Sequence, residues 1–246
     1  MNNLTAVVMA AGLGTRLKDI TIDTPKPLVE IEGKPLIEYG IRFLHSLGAD
    51  RIIIVGGFQI DKLRSVVKDI DANVEVVENK KFRLGNIFSL QCGLDLVDTS
   101  CVVYHADHIF RKEIADKMAK QLGNKFLIFT DNDRKLTDDD MKVKTSDSGD
   151  KLKFVSKTLQ DYSLGYVGIT YCPEQYLPLY KQTIKDVIAK DFEQAVSEHV
   201  MQKIVDTDHV GFYIGDISGY EWLEIDTQED LIHAREVMKN DFSLYY

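Results

Sequence analysis

Paired cysteines, an excess of positive charge and long apolar runs are all missing from this chain of 246 residues, and each absence closes a class of function. The three cysteines, Cys92, Cys101 and Cys172, are odd in number and show no CxxC spacing. That argues against a disulfide framework or a structural zinc site and fits a reducing, cytoplasmic setting. With 30 Lys and Arg against 39 Asp and Glu, the formal charge is −9. A surface of that sign is not built to neutralise a nucleic-acid backbone or to settle on anionic lipid, so the expected partners are small molecules, with no nucleic acid and no membrane. The apolar stretch from Ala6 to Ala11 is too short to cross a bilayer, and no basic segment precedes it. No repeat or low-complexity segment is present, and the sequence sets no oligomeric state.

What is present is an alternation. Short runs rich in β-branched residues, TAVVMA (5–10), RIIIVG (51–56), NVEVVE (73–78), CVVYHA (101–106) and KFLIFT (125–130), read as strands. Between them lie stretches with helical spacing, such as the one placing Ile37, Ile41, Leu44 and Leu47 on one face. This order predicts an α/β fold: a single domain with a mostly parallel, mixed central sheet covered by helices on both faces. After residue 140 the pattern changes to a hairpin around Ser148-Gly149, a strand at SLGYVGITY, two helices over 173–203, strands at HVGFYIG and EWLEID, and a closing helix from about Thr227 to Asn240. The acidic run TDNDRKLTDDD (130–140) reads as a solvated connecting loop.

The most informative segment follows the first strand: AAGLGTRLKDITIDTPKPL, residues 10–28. In open α/β sheets ligands gather at the carboxyl ends of strands. Gly12 and Gly14 allow a sharp turn and close approach to backbone N–H groups, the usual means of holding phosphate. The dinucleotide fingerprint fails here for want of a third glycine, and the Walker pattern for want of Gly-Lys-Ser/Thr. What remains is a loop with two cations. Arg16 can fork onto phosphate oxygens and Lys26 offers a point charge. Pro25 and Pro27 fix their own φ angles and push Thr24 and Lys26 toward extended geometry.

The combination of AAGLGTRL with TPKPL resembles the signature of the sugar-phosphate nucleotidyltransferase superfamily. The resemblance implies a Rossmann-like nucleotidyltransferase fold, with residues 1–130 as the nucleotide-binding half and 131–246 as the acceptor-binding half and closing strand and helix. It implies transfer of a nucleotidyl group to a phosphorylated small molecule, with the Ala10, Ala11, Gly12, Leu13, Gly14 and Thr15 loop on the nucleotide, Arg16 and Lys26 as catalytic cations, and Asp107 and Asp226 as catalytic acids that hold Mg²⁺. Asp107 ends the strand CVVYHA and Asp226 ends EWLEID. Asp226 or Thr227 can equally be read as the N-cap of the helix that follows. Ala106 stands where the family usually has glycine.

The stretch ENKKFRLGNIFSLQCGL (78–94) lacks the glutamine-proline pair of the hexose-activating members. It is similar to the pattern of small CTP-dependent cytidylyltransferases acting on phosphocholine, 2-aminoethylphosphonate or inositol 1-phosphate. On that match Asn79, Gly85, Asn86 and Ser89 contact the nucleotide or acceptor, with helix capping as the other role open to Asn86 and Ser89. Lys157 matches a lysine aimed at the acceptor phosphate. Tyr162, Tyr166 and Trp222 are candidates for a pocket around a cationic head group, or for core. His108 is a candidate phosphate contact or packing residue, and His105 reads as structural. The alternatives are a hexose-1-phosphate uridylyl-, thymidylyl- or guanylyltransferase, a non-catalytic nucleotide-sensing homologue and, last, a nicotinamide-dependent oxidoreductase.

Overall fold

Strand β1 (Leu4–Met9) sits at the centre of the computed structural model, which describes residues 3–192, 194–207 and 210–246. After a hairpin of β2 (Glu30–Ile31) and β3 (Lys34–Pro35), the chain runs through α1 (Leu36–Leu47), β4 (Arg51–Gly56), α2 (Ile60–Ile70), β5 (Glu75–Glu78), α3 (Asn86–Leu94) and β6 (Ser100–His105). Next come β7 (His108–Phe110), α4 (Lys112–Ala119), β8 (Leu127–Asp131), β9 (Lys142–Thr145), β10 (Leu152–Ser156) and β11 (Leu164–Cys172). Helices α5 (Leu177–Asp191) and α6 (Ser197–Val205), strands β12 (Tyr213–Asp216) and β13 (Trp222–Glu224), and α7 (Gln228–Asp241) complete the chain.

The nine-stranded sheet has the order β10-β9-β11-β6-β1-β4-β5, with β8 also on β11 and β12 on β8. Strands β5, β4, β1 and β6 are parallel, while β11 meets β6, β8 and β9 antiparallel. The sheet is therefore mixed, with a parallel half followed by a largely antiparallel one.

The two faces explain why the early strands read as unbroken apolar runs. Ala6, Val8, Ile52 and Ile54 point to one core with α1, α2 and α4; Val7, Ile53 and Val55 point to the other with α3, α5 and α6. A strand buried on both sides reads as a near-continuous apolar run, and Thr5, the polar residue of β1, has its hydroxyl paired with that of Thr99 at 2.9 Å. The chain moves outward from β1 to β4 and β5, then returns to β6 on the other side of β1. That reversal opens a crevice at the carboxyl ends of β1 and β6, the position where α/β sheets bind ligands.

EWLEID does not join the main sheet. Its strand, β13, pairs antiparallel with β7 in a separate two-stranded ribbon, Glu224 opposite His108. A third core, with Leu17, Ile109, Leu223, Leu231 and Met238, packs α7 against this ribbon and the glycine loop.

Candidate active site

Gly14 and Gly12 are required for different reasons. Gly14 lies at φ 64°, and a Cβ there would stand 2.9 Å from Lys26 Cβ, so both conformation and space exclude other residues. A Cβ on Gly12 would meet nothing within 4 Å, yet Gly12 lines the cleft. What it preserves is room for a guest.

Lys26 is not the solvated lysine of a surface turn. It is only 8% exposed. The extended geometry expected from Pro27 is also absent. Lys26–Leu28 form a 3-10 turn closed by Leu28 N–H donating to the Pro25 carbonyl at 2.8 Å, and this bond and the burial of the segment outweigh the local bias. The turn aims the ammonium inward, where Nζ donates to Asp107 Oδ2 at 2.7 Å and to Asp226 Oδ1 at 2.5 Å. Arg16 donates to Asp226 Oδ2 at 2.6 Å and to Asp139 Oδ2 at 3.1 Å.

Each acid is delivered by a strand end. Asp107 follows β6, and Asp226 follows β13, which the bond from Ile225 N–H to the Asp107 carbonyl (2.9 Å) docks directly beside it. The capping alternative for Asp226 is resolved in favour of its neighbour. The Thr227 side chain accepts from Asp230 N–H, and Asp230 returns a bond to Thr227 N–H, a reciprocal box that leaves the Asp226 carboxylate for the cleft.

Electrostatics follow from this crowding. Burial on its own would lower the Lys26 ammonium, but Asp107 and Asp226 raise it above the ordinary lysine value. Burial would raise Asp107, yet Lys26 and His108 hold its carboxyl well below the usual range. His108 is buried, its Nδ1 2.6 Å from Asp107 Oδ1 and its ring stacked 5.3 Å from Trp222 and 5.8 Å from Phe110. It acts as a positioning residue, fixing the direction of the Asp107 carboxylate. His105 is lowered by burial and packs edge-on to Tyr166.

Two cavities meet at this point. The first, about 300 Å³, is lined by Ala10, Gly12, Leu13, Gly14, Thr15, Arg16, Lys26, Asp107 and Asp226 among others, with Ala106 in the glycine-preferring position. The second, about 480 Å³, shares Arg16, Asp107 and Asp226 and adds Asn86, His105, Asp139, Lys157, Tyr166 and Glu198. Ala11, Asn79, Gly85 and Ser89 line neither. Asn79 and Ser89 are buried and bonded to each other at 2.9 Å, and Asn79 Oδ1 accepts from Lys81 N–H at 2.8 Å, fixing the local turn. Asn86 caps a different helix from its own: its Oδ1 accepts from Ser197 N–H at 3.0 Å at the start of α6. Trp222 donates its indole N–H to Asp131 at 2.6 Å, and Tyr162 is 40% exposed and absent from both cavities, so of the three candidate aromatics Tyr166 alone faces the second cavity.

The acidic run is more than a solvated connection. Asp131 is buried, and Asp139 sits between Arg16 and Lys157, whose Nζ is 3.5 Å away. His108, a candidate phosphate contact from sequence, lines the second cavity together with Asp139, Asp140, Glu198 and Glu224, four acids that the sequence does not mark as site residues. The density of acids in 130–140 was the one signal that pointed toward two of them.

The donor set suits a hard cation. Among the described residues no group of three or more candidate ligands forms, but the two carboxylates converge on a single ammonium and remain 25% and 20% exposed to the cleft. Mg²⁺ commonly takes one or two carboxylates and draws its remaining oxygens from phosphate and water.

Comparison with known proteins finds relatives that cover nearly the whole chain. The choline-phosphate cytidylyltransferase of Streptococcus pneumoniae is 25% identical over 249 residues, covering 96% of this chain and 99% of that one. The choline-phosphate cytidylyltransferase of Haemophilus influenzae is 35% identical over 112 residues, 45% of this chain and 47% of that one, so the match spans about half of its length. The solved inositol-1-phosphate CTP transferase from T. maritima superposes with a TM-score of 0.81 at 24% identity over 98% of both chains, a likeness of fold. The MobA-like NTP transferase domain matches residues 6–207, and the chain belongs to that family of nucleotidyltransferases.

Proposed function

We propose that this protein transfers CMP from CTP to a small phosphorylated or phosphonate acceptor and releases pyrophosphate. The observation that carries the reading is the convergence of Arg16, Lys26, Asp107 and Asp226 where the two cavities join. The first cavity is the size and polarity for a triphosphate against the glycine loop. The second shares Arg16, Asp107 and Asp226 with it and offers room for an acceptor beside the triphosphate, the proximity a displacement at phosphorus needs.

An acceptor phosphate oxygen attacks the α-phosphorus, the new phosphoanhydride bond forms, and the bond to the β-phosphate oxygen breaks with its electron pair leaving on pyrophosphate. A phosphate monoester has a second pKa of about 6 and is mostly dianionic at neutral pH, so no general base is needed. The difficulty is repulsion between anions. Arg16 and Lys26 supply positive charge at this point, both held at the cleft by ion pairs to Asp107 and Asp226. Lys157 lines the second cavity, in reach of an acceptor phosphate bound there. Asp107 and Asp226 are the residues that would hold Mg²⁺, whose chemistry there is neutralisation of phosphate charge and of the departing pyrophosphate.

The choice of cytosine is supported by the relatives named cytidylyltransferases and by the absence of the glutamine-proline pair in 78–94. Pyrophosphate release measured from CTP, UTP, dTTP and GTP with Mg²⁺, against phosphorylated alcohols, amino alcohols and sugars, tests it. Turnover is expected with CTP and a non-hexose acceptor. Turnover confined to UTP with glucose 1-phosphate would contradict the reading.

A further inference from the structure

Trp222 lines neither of the two cavities that meet at the site, yet its orientation is specified from several directions. Its indole N–H donates to Asp131 Oδ2 at 2.6 Å. Asp131 is itself buried, and its other oxygen accepts from the N–H groups of Asp133 and Arg134 at 2.5 and 3.3 Å. A charged acceptor makes a strong bond, and this one sets the rotation of the indole in its own plane. The Arg134 guanidinium lies 4.6 Å from the centre of the same ring.

What the indole meets is His108. The two rings have centroids 5.3 Å apart and planes within 12° of parallel. The ribbon brings them together: Trp222 is opposite Phe110 and Glu224 opposite His108, so His108 and Trp222 are diagonal neighbours on one face. The imidazole is also confined at its Cε1–Nε2 edge by the backbone of β11. There Gly168 adopts φ 72°, and a Cβ on it would stand 2.9 Å from His108 Cε1. The Tyr104 hydroxyl donates to the His108 carbonyl at 2.5 Å and fixes the backbone as well. Held in this way, Nδ1 lies 2.6 Å from Asp107 Oδ1, while Lys26 takes Oδ2. An imidazole without the indole beside it would be free to tilt, and the direction of the Asp107 carboxylate would tilt with it.

We propose that Trp222 is a positioning residue for the transfer reaction: it holds the His108 ring, and through that ring the Asp107 carboxylate, in the orientation the reaction requires. This rests on the nucleotidyltransfer reading above. The rate is then set in part by a side chain outside both substrate cavities.

The test is a double-mutant cycle between Trp222→Leu and Asp107→Asn, read as pyrophosphate release with CTP, acceptor and Mg²⁺. Leucine keeps apolar bulk but offers the imidazole no flat face. With Asp107 present, Trp222→Leu should lose about 10-fold in kcat, with KM for CTP and for acceptor within about 2-fold of wild type, because misplacing a reacting group costs rate more than binding. With Asn at 107 the same substitution should change kcat by less than about 2-fold, since no carboxylate remains to be oriented. Trp222→Phe keeps a flat ring and loses only the bond to Asp131; its kcat should fall between those of wild type and Trp222→Leu. The Phe variant completes the same cycle if the Leu variant does not fold. A role in packing alone predicts equal losses in both backgrounds, and that result would overturn the assignment, as would a wild-type kcat in Trp222→Leu. A wild-type protein that releases no pyrophosphate with any nucleotide and acceptor would instead remove the nucleotidyltransfer reading, and this inference with it.

Discussion

Asp226 and Thr227 are adjacent, and either could have capped α7; the structure gives them separate tasks. Thr227 closes the helix with Asp230, and Asp226 turns to Lys26 and Arg16. Losing an N-cap hydroxyl typically costs about 1 kcal/mol, so Thr227→Ala should lower the midpoint of thermal unfolding while leaving the rate at 25 °C close to wild type. Asp226→Asn should do the opposite, cutting kcat by about 100-fold or more, the scale seen when a preorganised electrostatic group is lost, with little change in midpoint. Paired melting curves and initial rates check both; the reverse assignment of effects would return Asp226 to the cap. At this scale the sequence was informative where chemistry and position coincided. Gly12, Gly14, Arg16, Lys26 and Asp107 could be read because a glycine loop and a strand end sit at known places in such sheets. Asn79 and Ser89 could not, since a polar pair that bonds internally has the same composition as one that meets a ligand.

Strongly patterned elements were legible to within about two residues: TAVVMA (5–10) is β1 over Leu4–Met9 and KFLIFT (125–130) is β8 over Leu127–Asp131. RIIIVG is β4 over Arg51–Gly56, and the hairpin at Ser148-Gly149 is the β9–β10 turn, with Gly149 at φ 78°. EWLEID reads as a strand and contains β13, but its partner β7 does not show in the sequence: three residues are too few for an alternation to register, and the pairing of the two is visible only once the chain has folded. That ribbon sets the separation of Asp107 and Asp226, so a short, pattern-poor element fixes the most critical geometry. The segment after the glycine loop bears a local strain that sequence likewise did not announce: Lys18 adopts φ 51°, ψ −120° within Thr15–Thr21, and its side chain is exposed. Glycine takes this conformation at far lower cost, so Lys18→Gly should stabilise the protein by up to about 1 kcal/mol, measured by denaturant titration. A loss of stability would show that the Lys18 side chain makes a contribution larger than the strain it imposes.

Over the whole molecule, the site exists because distant parts of one chain are brought to one crevice. The two acids that share the Lys26 ammonium lie 81 and 200 residues from it in sequence. The parallel half supplies the glycine loop and Asp107; the later half supplies Asp139, Lys157, Tyr166 and Glu198, while Asn86 and His105 reach into the second cavity from the earlier half. The acceptor space is thus shared between the two halves, and the antiparallel strands that follow β6 form its wall. The central claim is that Asp107 and Asp226 act as one electrostatic unit with Arg16 and Lys26. Pyrophosphate release by Asp107→Asn, Asp226→Asn and the double variant, with folding verified by circular dichroism, measures this directly. Each single variant should lose about 100-fold or more in kcat and the double variant little beyond the worse single, because groups that work as a unit are strongly non-additive. Near-normal rates in either single variant, or losses that simply multiply in the double, would contradict it.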